Sequence, residues 1–426
     1  MDRINTLVIG GGGREHAIVH ALSRSSVIGK LHCAPGNPGI AELAELHGAH
    51  PCDSEAIKKI CADRGIGFAV IGPDDPLAAG VADALRGAGL IVFGPGAAGA
   101  KLESSKAFAK RFMARHNIPT ARFDICADLD ECANALASRK PPYVIKADGL
   151  SLGKGVFLPH DIDEAKNICR GLLSGERLGD AGRVIVIEDF MRGSELSVFA
   201  ITDGKSFCLL KPSRDHKRVF EGDEGPNTGG MGAYSPVKLP AGTMNRVVSE
   251  ILRPTLKGLQ NENIDYRGVI YMGLMLTEDG VYAVEYNARF GDPETQAVLP
   301  IFGGDIGDVL LSCAKGSLGA YASDEPTGGG AAFCVVLASG GYPGSFERGL
   351  PIEGLGSDYD IPGTFIYHAG TKRGTDSKII TSGGRVLSVV GTGETFADAK
   401  RLAYERAVRV KFDNMHYRKD IGRSEE

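Results

Sequence analysis

The first hundred residues alternate short apolar runs with glycine-rich turns and helical segments, and this alternation constrains the fold more than any other feature. The first apolar run, Thr6–Ile9, leads through four glycines into a helical segment that begins at Arg14. The same order continues, with predicted strands at Ile28–Cys33, Phe68–Ile71 and Leu90–Phe93 and predicted helices at Ser54–Arg64 and Leu77–Ala88. This pattern predicts a parallel sheet covered by helices, with ligands at the carboxyl ends of the strands.

The chain has 426 residues, more than one hydrophobic core fills, so we expect several domains. The predicted fold class is α/β and α+β in a multidomain chain. The predicted boundaries enclose an N-terminal parallel α/β domain at 1–103, a small α+β unit with a preceding helix at 104–192, a larger sheet at 193–326 and a small C-terminal α+β domain at 327–426.

Charge and cysteine usage argue against several classes of protein. The formal net charge is −5, whereas a dedicated nucleic-acid binder usually carries a basic surplus. The nine cysteines include no C-x-x-C, which favours a reduced, cytoplasmic compartment over a disulfide framework or a zinc ribbon. No apolar run has the length of a membrane span, and the N-terminus resembles a strand and not a signal peptide. We therefore expect neither nucleic acid nor a membrane as a partner.

The segment VEYNARFGDPETQ carries the strongest chemical signal. Alternate residues of a strand share a face, so Glu285, Asn287 and Arg289 are predicted to point one way while Tyr286 and Ala288 point the other. A carboxylate beside an amide oxygen suits Mg²⁺ bound to substrate phosphates, and an arginine fork can hold a phosphate oxygen. The alternative is a solvated edge strand with an incidental salt bridge.

A second signal is the glycine-rich turn KADGLSLGKGV, in which Lys146 ends a strand and Lys154 lies among glycines. Glycines let backbone amides approach phosphate oxygens, and lysines add positive charge. No G-K-[ST] closes the motif, and a strand is predicted to follow at Gly155–Leu158. The segment therefore predicts a hairpin flap over a nucleotide and not a Walker A loop. A plain hairpin with exposed lysines is the alternative.

Two further segments are candidates for ligand contact. In IEDFMRGSE a strand ends at Glu188, where backbone groups could meet an adenine edge, and Glu195 could accept from ribose hydroxyls; a plain domain linker is equally compatible. The segment Ser213–Pro236 is too long and polar for an ordinary connection, and it holds four consecutive ionisable residues from Asp215 to Arg218. We expect a functional loop there, with a disordered surface loop as the alternative.

The glycines Gly10–Gly13 precede a helix but complete no dinucleotide fingerprint. Arg14 to His16 occupies the third-glycine region of G-x-G-x-x-G, and Cys33–Pro35 stands where a ribose-binding acid is expected. A phosphate or sugar-phosphate site is therefore better supported than an NAD site.

Ten segments occur in the order found in the phosphoribosylamine–glycine ligase (glycinamide ribonucleotide synthetase) family, and the chain resembles that family from its first strand to its C-terminus. They are GGGGREHA, PGN, GPDDPLAAG, SKAFAKRFM, KADGLSLGKGV, DHKR, GPNTGGMGAYSP, RFGDPETQ, HAGT and YRKDIG. The resemblance implies an ATP-grasp fold, in which 1–103 binds substrate and 104–192 and 193–326 are the small and large ATP-grasp subdomains.

The resemblance also implies roles for individual residues. Glu285 and Asn287 would be ligands of Mg²⁺ or Mn²⁺. The implied ATP contacts are Lys106, Lys146, Gly149, Gly153, Lys154, Gly155, Glu188, Phe190 and Glu195. The implied contacts to the other substrates are Gly11, Gly12, Gly13, Asn37, Pro73, Asp74, Asp215, Lys217 and Arg289. Of these, Asp215, Lys217 and Arg289 are the catalytic candidates.

The implied reaction joins glycine to 5-phospho-D-ribosylamine with ATP, through glycyl phosphate, and yields N1-(5-phospho-D-ribosyl)glycinamide, ADP and phosphate in de novo purine (IMP) biosynthesis. Its partners would be these small molecules, and we expect a monomer or weak homo-oligomer. The alternatives are another ATP-grasp carboxylate–amine ligase, a non-catalytic nucleotide-binding protein and an NAD dehydrogenase.

Overall fold

A computed structural model describes residues 3–151 and 155–425. Its N-terminal unit is a sheet of five parallel strands in the order β3-β2-β1-β4-β5. The elements of this unit are β1 (Ile4–Gly10), α1 (Gly13–Ser23), β2 (Ile28–Pro35), β3 (Glu45–Leu46), α2 (Ser54–Arg64), β4 (Phe68–Ile71), α3 (Asp74–Ala78), α4 (Val81–Gly87), β5 (Ile91–Phe93) and α5 (Ala97–Ser104). The parallel sheet predicted from strand–helix alternation is confirmed.

The predicted single helix at Leu77–Ala88 is wrong. The chain forms α3 and then α4, and Gly80 between them has a φ of 77°. Glycine adopts this left-handed conformation without steric penalty, so it ends the first helix and redirects the chain. Short helix α3 therefore begins directly after the strand β4, at the carboxyl edge of the sheet.

The small unit is a four-stranded antiparallel sheet in the order β6-β9-β7-β8 with two helices on it. Its helices begin with capping side chains, which satisfy orphan backbone N–H groups. The helix that precedes this unit is capped in the same way, since Ser105 accepts from the backbone N–H of Phe108 at 3.0 Å. The elements are α6 (Lys106–Arg115), β6 (Phe123–Cys126), α7 (Leu129–Ala137), β7 (Val144–Ala147), β8 (Val156–Phe157), α8 (Ile162–Leu173) and β9 (Ile185–Glu188).

The large unit is built on a five-stranded sheet in the order β17-β16-β10-β11-β18. Its helical layer includes a π-helical segment, Val247–Leu252, between α9 and α10. The elements are β10 (Ser194–Thr202), β11 (Phe207–Leu210), α9 (Thr243–Arg246), α10 (Arg253–Asn261), β16 (Gly268–Leu276), β17 (Val281–Asn287), α11 (Glu294–Val298), α12 (Ile306–Lys315) and β18 (Ser323–Thr327), with the strands β12 to β15 lying between β11 and α9.

The segment predicted as a long polar loop is instead largely strand. It forms β12 (Arg214–Asp215), β13 (Arg218–Phe220), β14 (Glu224–Asn227) and β15 (Gly232–Ser235). β12 and β15 join the C-terminal sheet, whose order is β12-β15-β19-β23-β20. The remaining C-terminal elements are β19 (Ala331–Ala338), β20 (Thr364–His368), β21 (Thr371–Arg373), β22 (Ile379–Thr381), β23 (Arg385–Gly393) and α13 (Phe396–Ala407).

Apolar contacts bind the units together. Ala17 of α1, Ala297 of α11 and Val390 of β23 are fully buried in one cluster. Among the described residues no single helix is long and apolar enough to cross a membrane; one bent pair, Glu294–Ile301 with Ile306–Lys315, meets that test by length and composition only. All nine cysteines are free thiols.

Candidate active site

The strand β17 presents the predicted metal ligands to a cavity of about 620 Å³. Tyr286 and Ala288 are 2% and 1% exposed and pack in the core, although Tyr286 also borders the cavity, whereas Glu285, Asn287 and Arg289 are only partly buried and line it. The alternation predicted for this segment is therefore present. The volume falls in the range of small-molecule sites.

The side chain of Arg289 is held by three oxygen atoms. One terminal nitrogen lies 2.7 Å from the carboxylate of Glu103 and donates to Oδ1 of Asn287 at 3.1 Å; the other donates to the carbonyl of Phe290 at 3.1 Å. Burial lowers the pKa of Arg289, but Glu103 and the other acidic groups around it together outweigh burial and raise the pKa overall. Its Nε is buried without a partner among the described residues.

Glu103 lines the cavity and was not anticipated from the sequence. It is 9% exposed at the end of α5, and its second carboxylate oxygen accepts from the backbone N–H of Ala288 at 2.8 Å. Burial raises its pKa although Arg289 opposes the shift. In the segment AAGAKLES, Glu103 has the pattern of an acidic residue on a solvent-exposed helix face. The sequence alone therefore does not indicate that its side chain is buried.

Three lysines surround the strand end of the small unit. Lys146 and Lys110 lie 2.9 and 3.0 Å from the two carboxylate oxygens of Glu188, and both lysines are buried. Burial raises the pKa of Glu188, but the two lysines outweigh burial and hold it below its usual value. Burial also lowers the pKa of Lys110 to about 8 and that of Lys106 below its usual value. Lys106, Lys110 and Lys146 all line the cavity.

Lys110 also lines the cavity without having been anticipated, although its spacing from Lys106 in the sequence indicates that the two lysines lie together. It follows Lys106 by four residues in α6, so the two share one helix face. Lys106 donates to the carbonyl of Gly149 at 3.5 Å, which links α6 to the start of the predicted flap. Gly155 lines the cavity, whereas Gly149 does not. Gly153 and Lys154 lie outside the described residues.

A chain of three ionisable side chains also borders the cavity, with that of Asp215 buried at one end and that of Glu195 exposed at the other. Lys217 is hydrogen bonded to Glu195 and lies 3.1 Å from a carboxylate oxygen of Asp215. Burial lowers the pKa of Lys217, yet its two carboxylate partners raise it well above its usual value. Burial raises the pKa of Asp215 to about 7, and Lys217 lowers that of Glu195. Asp215 and Lys217 line the cavity, whereas Glu195 does not and is linked to it through Lys217.

Glu294 and Arg385 also line the cavity and were not anticipated. Glu294 is 3% exposed and accepts from the hydroxyl of Tyr271 at 2.6 Å. Arg385 of β23 lies 3.1 Å from Asp292, so the C-terminal sheet reaches the site. Asp292 and Glu294 belong to the quoted motif RFGDPETQ, which could have directed attention to them.

The N-terminal loops contribute unequally. Pro73 and Asp74, at the start of α3, line the cavity beside Arg14, whereas the glycines Gly11, Gly12 and Gly13 do not. Arg14 is 7% exposed and donates to the carbonyl of Phe290 at 3.1 Å. Arg14 was noted in the sequence only as an interruption of a glycine pattern.

Asn37 has all of its hydrogen-bonding capacity engaged within the protein. Its amide nitrogen donates to the carbonyls of Gly11 and His368, and its oxygen accepts from the backbone N–H groups of Gly39 and Ile40. This geometry anchors the PGN loop to β20. The side chain of Asn37 therefore holds the loop in place, and neither its amide nitrogen nor its oxygen is without a partner.

Phe190 is 43% exposed and does not line the cavity. The preceding Asp189 pairs with Arg122 at 3.2 Å and Arg139 at 3.0 Å. Only Glu188, among the residues predicted at the adenine edge, reaches the cavity wall with its side chain.

The donor set on β17 fits a hard divalent cation. Glu285 forms no ion pair within 4.0 Å among the described residues, and the Asn287 oxygen beside it accepts from Arg289. A carboxylate without a counterion next to an amide oxygen is the chemistry that Mg²⁺ and Mn²⁺ prefer.

Comparison with known proteins agrees with this geometry. Three family models match the chain: the Phosphoribosylglycinamide synthetase N domain at residues 4–103, its ATP-grasp (A) domain at 104–295 and its C domain at 332–424. The chain belongs to the phosphoribosylglycinamide synthetase family. The resemblance that the motifs indicate is confirmed, as is the multidomain α/β and α+β fold with an ATP-grasp centre.

Curated relatives and a solved structure that match nearly the whole chain are phosphoribosylamine–glycine ligases. The present chain is 41% identical over 419 residues to the phosphoribosylamine–glycine ligase of Caldanaerobacter subterraneus, covering 98% of this chain and 99% of the relative. It is 43% identical to that of Streptomyces coelicolor, covering 98% of each. The crystal structure of the Thermotoga maritima phosphoribosylamine–glycine ligase superposes with a TM-score of 0.85 at 36% identity, covering 98% of this chain and 100% of that one.

A more distant neighbour shares the fold alone. The biotin carboxylase domain of Hydrogenobacter thermophilus 2-oxoglutarate carboxylase, solved with MgADP and bicarbonate, has a TM-score of 0.75 at 17% identity. It covers 98% of this chain and 92% of that one. The family membership identifies the present chain as an ATP-grasp enzyme, and the prediction of a carbon–nitrogen ligase is confirmed.

Proposed function

We propose that the chain joins glycine to 5-phospho-D-ribosylamine, giving N1-(5-phospho-D-ribosyl)glycinamide, ADP and phosphate, as a step of purine biosynthesis toward IMP. One observation carries the proposal in a member of this family. One cavity holds an amide oxygen and a carboxylate that forms no ion pair among the described residues, both on one strand face, together with two buried lysines and the half-buried Lys106. Such a cavity suits a metal-bound triphosphate.

The chemistry requires two steps, because a carboxylate is a poor electrophile at neutral pH. In the first, a carboxylate oxygen of glycine bonds to the γ-phosphorus and the bond to the β–γ bridging oxygen breaks, giving glycyl phosphate and ADP. In the second, the amine of phosphoribosylamine bonds to the acyl carbon, the carbon–oxygen bond to phosphate breaks, and the amine loses a proton. Fixed positive charge stabilises the transferring phosphoryl group.

Protein groups are assigned to these steps by their charge and position. Glu285 and Asn287 would hold Mg²⁺ or Mn²⁺, which when bound supplies positive charge against phosphate oxygens. Lys106 and Lys146 would contact the phosphates. Arg289 would hold the glycine carboxylate or a phosphate oxygen, and its place in the cavity lining beside Asn287 supports that assignment.

The proton released in the second step is assigned to Asp215. Its pKa of about 7 matches an acceptor that works near neutrality. Lys217 lies 3.1 Å away and stabilises the ionised carboxylate, which keeps Asp215 competent as a base. The pair would also bind glycine through the Lys217 ammonium.

The nucleotide base and ribose are assigned to the strand end of the small unit. The carboxylate of Glu188 is already held by two lysines, so its backbone and that of Phe190 would meet the adenine edge. Glu195 would meet the ribose. Phosphoribosylamine would enter along the N-terminal loops, next to Pro73 and Asp74.

A coupled assay for ADP, with each substrate omitted in turn, tests the reaction. ADP release should need ATP, glycine and phosphoribosylamine together. Hydroxylamine should replace phosphoribosylamine and yield glycine hydroxamate, because it traps an acyl phosphate. Release that depends on another acid or amine would assign the chain to a different ATP-grasp ligase. No release in any combination would favour a non-catalytic nucleotide-binding protein, and a nicotinamide absorbance change would favour a dehydrogenase.

We further propose a cytoplasmic location and a monomeric or weakly self-associating state. Nine free cysteines, eight of them buried, fit a reducing compartment. Light scattering during gel filtration, over a range of protein concentrations, measures the second property; a stable oligomer at the lowest concentration would refute it.

A further inference from the structure

A second group of potential ligands lies in the N-terminal unit, on the β2–β3 edge of the parallel sheet. The ladder pairs His32 of β2 with Glu45 of β3, and His47 follows Glu45 by two residues. The backbone N–H of His47 donates to the carbonyl of Cys33 at 2.9 Å, which continues the pairing. Residues two apart share a face, so three donor side chains meet on one side of this edge.

Their donor atoms stand at the spacing of ligands around one ion. Nδ1 of His32 lies 3.0 Å from Nε2 of His47 and 3.6 Å from Oε2 of Glu45, and the three donor atoms all lie within 4.8 Å of one another. A tetrahedral zinc ion with bonds of about 2.0–2.1 Å holds its ligand atoms about 3.3 Å apart. An ion therefore fits among them after small side-chain movements.

A neighbouring group orients one of the donors. Arg64 holds Oε1 of Glu45 at 2.8 Å, which turns Oε2 toward His32, and contacts of this kind support ligand side chains in metal sites. His32 is 2% exposed, and its Nε2 has no partner among the described residues, so no group on that side fixes its tautomer. Glu45 is exposed and leaves a path to solvent.

We propose that His32, Glu45 and His47 bind a divalent transition-metal ion of the zinc class, with water completing its coordination. Two imidazoles and one carboxylate favour zinc over Mg²⁺, which prefers oxygen ligands alone. This site is separate from Glu285 and Asn287 in both position and donor chemistry.

Occupancy would act on the PGN loop. Leu46 lies between Glu45 and His47 and packs against Gly36 so closely that a Cβ there would lie 2.4 Å from Leu46. Gly36 donates in turn to the carbonyl of Gly10 at 3.1 Å. An ion that fixes β3 against β2 therefore also fixes the loops at the carboxyl edge of the sheet.

Titration of the full-length chain tests the site. The protein is treated with EDTA, freed of chelator and titrated with Zn²⁺ by calorimetry and with Co²⁺ by visible absorption, without nucleotide. We expect one equivalent of Zn²⁺ and a Co²⁺ spectrum with nitrogen ligation. His47→Ala and Glu45→Gln should each weaken binding at least about tenfold, since even loss of an outer-shell partner has effects of about 10–100-fold.

Two variants serve as matched controls. His160→Ala removes an exposed histidine elsewhere, and Glu285→Ala removes the carboxylate of the ATP site; both should bind Zn²⁺ like the unaltered chain. Circular dichroism checks folding, and the exposed Glu45→Gln keeps the test valid if His47→Ala fails to fold. The proposal is overturned if the unaltered chain binds no Zn²⁺, or if Glu45→Gln and a folded His47→Ala titrate unchanged.

Discussion

Replacing Arg289 by lysine tests the central assignment, because the change keeps the charge and removes the fork. The guanidinium contacts Glu103, Asn287 and the carbonyl of Phe290 at the same time. A single ammonium can retain the ion pair to Glu103, but its point geometry cannot also reach the other two acceptors. Asn287 would then lose the donor that orients its amide.

The expected loss can be worked out from these contacts. Hydrogen bonds to charged groups contribute about 1.5–3 kcal/mol each, and two are removed by Arg289→Lys. If about 3 kcal/mol of this total stabilises the transition state, kcat falls about 100-fold, since about 1.4 kcal/mol corresponds to a tenfold change. KM for ATP should change less, because the lysine cluster stays intact.

Steady-state ADP release gives kcat and KM for Arg289→Lys. The matched control is Arg115→Lys, which alters an exposed arginine paired with Glu262 at 2.8 Å and should leave both constants unchanged. Urea unfolding separates a loss of catalysis from a loss of fold. Normal kcat and KM in Arg289→Lys would show that the fork positions nothing in the reaction, and Arg289 would be reduced to a structural counterion of Glu103.

Three further predictions concern the metal strand, the lysine cluster and pH. Glu285→Ala should abolish ADP release with an unchanged melting temperature, with the exposed Glu278→Ala as control; turnover in Glu285→Ala would remove the metal assignment. Glu188→Gln should lower the free energy of unfolding by about 3–5 kcal/mol in urea titrations, because two buried lysines lose their shared anion; an unchanged midpoint would contradict this. Burial lowers the pKa of His16 to about 3 in the folded chain, whereas the unfolded chain binds this proton near pH 6.5. The free energy of unfolding therefore falls as the pH drops below 6.5, by about 2 kcal/mol at pH 5. Urea unfolding at pH 7 and 5 should show this loss in the unaltered chain and a smaller one in His16→Gln; equal losses would refute it.

The local sequence pattern was sufficient to predict those helices and strands whose bounds are determined by their own residues. Phe68–Ile71 and Ser54–Arg64 have the predicted bounds, because one is a continuous apolar run and the other lies between a capping Asp53 and a left-handed Gly65. The shared face of Glu285 and Asn287 follows from strand geometry alone. These features need no knowledge of the rest of the chain.

Strand pairing between segments far apart in the chain could not be predicted from the local sequence pattern. The stretch 213–235 is polar and rich in glycine, so its own residues favour a loop. Tyr234 nevertheless pairs with Phe333 across β15 and β19, and Gly232 with Val335. The hydrophobic strand β19 is the partner that makes strands of this segment, and it lies about a hundred residues further along the chain.

Buried charges were the hardest part of the site to predict, because burial is a property of the assembled units. Glu103 lies in the first unit and Arg289 in the third, yet their side chains are 2.7 Å apart. Through that ion pair and the bond to the backbone of Ala288, α5 is fixed against the end of β17. The loops that would receive phosphoribosylamine are therefore held in one position relative to the strand that would hold the metal. The unit at 104–192 is joined to the same strand, because the backbone N–H of Ala283 donates to the carbonyl of Pro119 at 2.8 Å and the hydroxyl of Thr120 donates to the carbonyl of Ala283 at 2.6 Å. The strand that would hold the metal is therefore the element at which all three units meet.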